Sequence, residues 1–223
     1  MCGRFTLTSP ADTVAALFEL EEVLALAPRY NIAPTQPVAV VRAEGSASHR
    51  GMEALRWGLI PSWAKDPAIG SRMINARAET VGEKPSFRTA FRRRRCLIPA
   101  DGFYEWQKLG TRKQPHYIHL TGRRPFAFAG LWEHWRSPDG ESVDTCVIIT
   151  TEPNELMAEL HNRMPVILHP RDFALWLDPA VQEGNKVRPL LAPYPPEEMS
   201  AYAISTAVNR PSNDSAACIE PVG

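Results

Sequence analysis

The residues with the most distinctive chemistry are the first five, Met1-Cys2-Gly3-Arg4-Phe5. Cys2 is small enough for Met1 to be trimmed, and the expectation is that Cys2 then carries a free α-amine and a thiol two carbons apart. An α-amine titrates near about 7.7–8.0 and a free thiol near about 8.5, so both are partly available at neutral pH, whereas lysine amines, near about 10.4, are mostly protonated. A 1,2-aminothiol has a reaction open to no internal residue. Its amine condenses with an aldehyde to a Schiff base, and its thiol closes a five-membered thiazolidine ring on the imine. Taken alone, a cysteine at position 2 more often has no chemical role, so the rest of the chain must supply the groups this chemistry needs.

Several stretches offer such groups. In Asp101-Gly102-Phe103-Tyr104-Glu105-Trp106 a turn dipeptide precedes an aromatic-rich strand pattern. Strand alternation puts Phe103 and Glu105 on one face, which makes Glu105 a candidate buried carboxylate; the plainer reading is a surface glutamate beside Lys108. His161, in His161-Asn162-Arg163-Met164-Pro165, has the side chain best suited to moving protons near neutral pH. Residues 57–66 set two tryptophans around a Gly and a Pro, a pattern that suits either a packed loop or a platform for an unstacked base. The run from Arg92 to Arg95 reads first as a solvated face and second as the lining of a groove. His116 and His119 fall on opposite faces of one strand and make a poor metal pair. The four cysteines, at 2, 96, 146 and 218, lack CxxC spacing, which argues against a zinc site or a disulfide framework.

The elements that must position these groups are short. Residues 11–27 have helical composition, with Ser9 or Asp12 as cap and Pro28 as terminator. Strands are predicted at 38–42 and 52–57, with 45–51 as an exposed turn between them. Residues 73–80 open a helix or cross the core as an extended piece. Further strands are predicted at 96–100, 103–106, 116–120 and 125–132, the last two joined as a hairpin through Thr121-Gly122-Arg123-Arg124. The pattern continues with a strong strand at 143–151, a short helix to about 160, a strand at 166–168, a helix at 170–178 and a last strand at 202–208. This succession predicts one α+β domain over residues 1–223, with a curved, mostly antiparallel sheet and a few peripheral helices. No apolar run is long enough to span a membrane as a helix, and no signal-peptide pattern precedes the domain, which points to the cytoplasm. Net charge is zero, but residues 1–110 hold 15 Lys+Arg against 11 Asp+Glu, and residues 111–223 hold 10 against 14. That balance argues against broad, tight, non-specific DNA binding and leaves room for a local basic groove.

The motifs MCGRFT, RYNIAPTQ, WGLIPSWAKD, INARAET, RRCLIPADGFYEW, FAGLW, HNRMPVIL and VNRPSND occur in that order. Together they resemble the SRAP family, the SOS response-associated peptidases, over nearly the whole chain. The resemblance implies a barrel-like core, a positively charged channel for single-stranded DNA, and recognition of abasic sites by covalent crosslinking through the N-terminal cysteine. It implies that Cys2 is the crosslinking residue, Asn75 its polar partner, and Glu105 and His161 the proton-transfer pair. It further implies that Arg4 and Arg77 contact phosphates, that Pro34 and Trp63 lie in loops near the DNA, and that Thr150 lines the site. No metal or other cofactor is implied, and the expected partner is single-stranded DNA carrying abasic sites, bound by a monomer that is nucleoid-associated when on DNA. Lyase-like and thiol peptidase (hydrolase) activities are secondary expectations.

The strongest rival is an N-terminal-nucleophile hydrolase. Glutamine amidotransferases of one class also begin Met-Cys-Gly, but they use an Asn-Gly motif that this chain lacks. A peptidase pairing Cys2 with His161 and a non-catalytic DNA-binding module are the remaining alternatives.

Overall fold

The computed structural model describes residues 2–222, except the side chains of residues 46–48. Among the described residues the strands are β1 (Phe5–Leu7), β2 (Arg29–Ile32), β3 (Pro37–Glu44), β4 (Ser46–Trp57), β5 (Asn75–Arg77), β6 (Arg95–Ala100) and β7 (Gly102–Leu109). They continue as β8 (Arg112–Leu120), β9 (Phe126–Arg136), β10 (Ser142–Thr151), β11 (Met164–Pro165), β12 (Ile167–Leu168) and β13 (Met199–Ala203). Five short helices accompany them: α1 (Ala11–Phe18), α2 (Arg88–Arg93), α3 (Glu155–Ala158), α4 (Phe173–Leu177) and α5 (Gly184–Val187).

The pairings close a five-stranded barrel. β10 pairs with β4, β4 with β3, β3 with β6, β6 with β9, and β9 returns to β10. Only the β10–β4 seam of this ring is parallel. The second sheet has the order β13-β8-β7-β1-β2 and lies against the barrel through aromatic side chains. Phe5 of β1 meets Trp57 of β4 and Phe128 of β9 edge-on at 5.2 and 5.7 Å, and Phe103 of β7 meets Phe128 at 6.0 Å. The fold is therefore the α+β class with a curved, mostly antiparallel, barrel-like core that the sequence predicts.

The first strand is held unusually well for a segment so close to a terminus. β1 sits between β7 and β2, pairing Phe5 with Phe103 and with Ile32. Asp101, the acidic member of the Asp-Gly pair, accepts hydrogen bonds from the Thr6 hydroxyl and from the backbone N–H and hydroxyl groups of Thr8 and Ser9. The dipeptide thus makes the turn between β6 and β7 and also clamps the strand that follows Cys2.

Four local expectations are corrected. The first helix ends at Phe18, where Glu19 takes a left-handed φ of 54°, rather than continuing to residue 27. A longer helix would stack Glu19, Glu21 and Glu22 at its negative end; unwinding instead lets Leu20 and Leu26 pack on the core. Its N-cap is Pro10 without a side-chain cap, because Ser9 is engaged by Asp101. The turn expected over residues 45–51 shrinks to Gly45, at φ 79°, and the rest of that stretch is β4. β8 and β9 are not a hairpin. β8 pairs with β7 and β13 in one sheet while β9 is a barrel strand, and the chain crosses between sheets through Gly122 and Arg123, both at positive φ. The last strand is Met199–Ala203, and residues 206–209 form a short 3-10 turn.

Replacing Asp101 by Ala leaves buried donors on β1 without their acceptor. The expected cost is about 2–4 kcal/mol, read as a fall in Tm of about 5–15 °C by calorimetry, with Asp101→Asn milder. An unchanged Tm for Asp101→Ala would refute the clamp.

Candidate functional site

Cys2 lies at the seam between the barrel and the second sheet and is fully buried. β5, which runs parallel to β10 with Asn75 opposite Ile148, brings Asn75 to this seam. The segment before β5 is fixed by two further bonds, from the Trp57 indole N–H to the Ile74 carbonyl at 2.9 Å and from the Leu59 N–H to the Met73 carbonyl at 3.0 Å. From there the Asn75 Nδ2 donates to the Cys2 carbonyl at 2.8 Å. The Asn75 Oδ1 is buried and has no hydrogen-bond partner among the described residues. The Cys2 thiol makes a long, weak contact of 3.9 Å to the Arg4 carbonyl.

Glu105 comes to the same place from the second sheet. On β7, Phe103 joins the main core while Tyr104 faces a separate cluster with Tyr117, Ile204 and Val208. Glu105 shares the face of Phe103, as alternation predicts, and is only 2% exposed. Burial pushes the Cys2 thiol well above its ordinary pKa, and the negative charge of Glu105 pushes it further in the same direction. The group held beside the carboxylate is therefore a neutral thiol, not a thiolate.

His161 is half-buried and follows α3 directly. The Asn154 side chain caps α3 by accepting from the Met157 N–H at 2.9 Å. Gln107, two residues beyond Glu105 on β7, donates to the Glu159 carbonyl at 3.0 Å and ties this segment to the Glu105 strand. The His161 Nδ1 accepts the Arg163 N–H at 3.0 Å, so the neutral ring carries its proton on Nε2. Arg163 in turn makes a two-pronged pair with Glu79 and donates to the Thr150 carbonyl at 2.7 Å. The carboxylate and the thiol therefore act on each other, and the His161 segment is tied to the Glu105 strand through Gln107.

The remaining predicted residues lie on β5, on β10 and in two loops. Arg77 is exposed at the end of β5, opposite Thr150. Thr150 is fully buried, with its hydroxyl directed at the Ala76 carbonyl 3.4 Å away. Trp63 projects into solvent at 59% exposure, between neighbours that are pinned by the Ala64 N–H to Pro61 carbonyl bond and by the Trp135 indole N–H to Ala64 carbonyl bond. The base of that loop needs glycine: Gly58 has φ 128°, and a Cβ there would lie 2.5 Å from the Gly70 carbonyl oxygen. Pro34 is half-buried in the turn that docks on the end of β4 through the Thr35 N–H and the Trp57 carbonyl.

Arg4 is placed differently from a free phosphate-binding side chain. Its guanidinium donates to the Asn31 Oδ1 at 3.0 Å and to the carbonyls of Val208 and Asn209 at 2.8 and 3.4 Å. Asn31 reaches the same C-terminal loop through the carbonyls of Val208, Arg210 and Asn213. Asp214 closes the arrangement: burial works against its charge, but bonds from the Arg29 side chain and the Tyr30 and Asn31 N–H groups hold its pKa below the usual aspartate value. Asn31, Gln107, Arg163 and Asn209 therefore build the site although the sequence singles out none of them. For Asn31, Arg163 and Asn209 the only signal is membership in the motifs RYNIAPTQ, HNRMPVIL and VNRPSND, and Gln107 has none, lying one position past RRCLIPADGFYEW. Among the described residues no group of three or more His, Cys, Asp or Glu side chains is arranged to hold a metal ion.

The SOS response associated peptidase (SRAP) family model matches residues 1–211. The chain belongs to this family. It is 48% identical to the abasic site processing protein YoqW of Bacillus subtilis, over 99% of both chains. It is also 33% identical to the abasic site processing protein HMCES of Gallus gallus, over 87% of this chain and 66% of that one. A crystal structure of a protein from Bacteroides thetaiotaomicron superposes with a TM-score of 0.89 at 28% identity, covering 99% of this chain and all of the other.

Because Glu105 raises the thiol pKa, Glu105→Gln lowers it and increases the thiolate fraction at a given pH. Below the pKa, each unit of lowering is about a tenfold rise in thiolate. Alkylation of Cys2, followed by site-resolved mass spectrometry from pH 7 to 10, is expected to be slow in the parent protein and to start at lower pH in Glu105→Gln. Superimposable pH profiles would show that the carboxylate does not act on the thiol.

Proposed function

We propose that this protein captures abasic sites in single-stranded DNA by forming a thiazolidine crosslink through the α-amine and thiol of Cys2, and so shields the lesion from strand cleavage. The observation that carries this reading is the neutral, buried Cys2 thiol beside the Glu105 carboxylate, with its backbone held by Asn75. The names of the relatives, abasic site processing proteins, support the same substrate. Removal of Met1, which the mechanism needs, lies outside the described residues.

An abasic sugar in its open form presents an aldehyde at C1′. His161, with Nε2–H directed away from the bond at Nδ1, protonates or deprotonates the sugar oxygens during ring opening. The Cys2 amine adds to C1′, and water leaves to give the imine. An imine acidifies C2′, and elimination there would cut the strand. The thiol prevents this: sulfur bonds to C1′, the imine nitrogen takes up a proton, and Glu105 carries the proton released from sulfur. Asn75 holds the Cys2 carbonyl, which fixes where both nucleophiles point. Arg77 and Trp63, both exposed, are suited to a flanking phosphate and a stacked base, and Pro34 borders the same loops. Arg4 shapes the C-terminal loop beside the lesion and Thr150 supports β5 from behind. The four cysteines as free thiols fit a reducing compartment such as the cytoplasm, with the protein acting as a monomer on the nucleoid. A thiolate–imidazolium peptidase fits less well, because the thiol is kept protonated.

Denaturing electrophoresis of Met1-free protein with abasic single-stranded DNA is expected to give a DNA–protein band. Cys2→Ala should abolish the stable band while its amine still forms an imine, leaving some lyase-type cleavage. Asn75→Ala should slow crosslinking about ten- to hundredfold, the order expected for a misplaced reacting group. An uncleaved N-terminal tag should block the reaction. Stable crosslinking by Cys2→Ala equal to the parent would overturn the thiazolidine reading, and full activity with Met1 retained would exclude the α-amine.

A further inference from the structure

Away from Cys2 the surface carries a cavity of about 230 Å³ lined by Gly82, Arg88, Thr89, Arg92 and Arg93. Its lining holds three guanidinium groups, one hydroxyl and no carboxylate. Among the described residues none of the three arginines forms an ion pair, whereas Arg94 and Arg95, next in the chain, are both engaged. Arg94 pairs with Glu133, and Arg95 is buried and donates to the carbonyls of Phe91, Arg92, Trp176, Asp178 and Val181. The arginine run is thus divided in two. Its end builds the core, and its start presents cations that no carboxylate among the described residues pairs with.

Arg88 and Arg92 are one helical turn apart, a spacing at which like charges repel, and the first turn of α2, where Arg88 sits, has no acidic residue. The arrangement is unfavourable in the free protein and relieved by an anion. The cavity also connects to His161 through named contacts. The Arg163 N–H bonds His161, the Arg163 guanidinium pairs with Glu79, and Arg188 donates to the Glu79 carbonyl at 3.3 Å. The second Arg188 nitrogen lies 3.1 Å from where a Gly82 Cβ would be, at the cavity wall. Exposed Arg77 lies within electrostatic reach of Glu79 at one end of this chain of contacts, and Arg88, Arg92 and Arg93 line the cavity at the other. The single carboxylate that this chain of contacts uses, Glu79, is already paired with Arg163.

We infer that the Arg88–Arg92–Arg93 cavity binds a backbone phosphate of the same single strand whose lesion is held at Cys2, several nucleotides away from it. This rests on the reading of the protein as a DNA-binding one, and it extends the footprint from the lesion to a remote anchor. A single-strand contact of this kind contributes about 0.7 to the slope of log binding constant against log salt for each phosphate neutralised.

The test is non-covalent binding of undamaged single-stranded oligonucleotides by fluorescence anisotropy at several salt concentrations. The variant is Arg88→Ala/Arg92→Ala, compared with the charge-matched control Arg123→Ala/Arg171→Ala, all four side chains being exposed. Strand length is varied, and inorganic phosphate is included as competitor. The expected result is a salt slope reduced by about 0.7 for the variant on long strands. The difference should vanish on strands too short to span from Cys2 to the cavity, and the control should match the parent. Crosslinking of a short abasic strand at saturating DNA should be unchanged. An equal loss on short and long strands, or an equal loss in the control, would overturn the proposal. So would millimolar phosphate displacing no long strand while binding the cavity by itself, which would mark a free-anion site. Binding results of the expected form without any crosslink in the parent would instead count against the capture chemistry and leave the anchor standing.

Discussion

A chain end frays unless its own contacts order it, because fixing each residue costs about 1–2 kcal/mol of conformational entropy. The residue proposed to react is the second in the chain, so the proposed site depends first on holding β1. Three constraints do this. Asp101 takes five donors from residues 6, 8 and 9, β7 and β2 flank the strand, and Phe5 is wedged between Trp57 and Phe128. Asn75 then fixes the last peptide group before the amine. Holding Cys2 in this way is the precondition for an aminothiol that reacts from one geometry rather than from a mobile tail.

The electrostatics of the seam favour one order of events. A thiol buried beside a carboxylate remains protonated, so it is a poor first nucleophile. For the chemistry proposed above, amine attack first and sulfur second is the sequence this arrangement suits, since the carboxylate beside the thiol can accept the sulfur proton. The same features explain why a thiolate hydrolase is the weaker reading of the same residues.

The chemistry was more legible in the sequence than the geometry. The α+β class follows from many short strands, and the shared face of Phe103 and Glu105 follows from simple alternation. The failures have one cause, which is that tertiary contacts override local pattern. The apolar run of β9 looks like the second arm of a hairpin, but its burial on both faces makes it a barrel strand instead. Residues 19–27 have the composition of a helix, yet their apolar side chains reach the core only after the helix ends. Asn31 and Arg163 carry no sequence signal of their own, because their value lies in partners 177 and 84 positions away in the chain. Arg4 shows the limit from the other side. Its type and position suggest phosphate, but three acceptors from the protein surround its guanidinium.

A protein of zero net charge can still hold a polyanion if its cations are sorted by environment. Arg4, Arg94, Arg95 and Arg163 are engaged by carbonyls or carboxylates, and their contribution is architectural. Arg88, Arg92 and Arg93 are exposed and form no ion pair among the described residues, and Arg77, also exposed, acts on Glu79 only through its charge. The first group sets the shape of the surface and the second sets its field. Counting arginines by sequence merges the two groups, which is why the run 92–95 reads as a single feature although its halves do different things. Separation of this kind also limits non-specific affinity. Under the function proposed above, a strand gains phosphate contacts only where it reaches the exposed group, which restricts the affinity to that part of the surface.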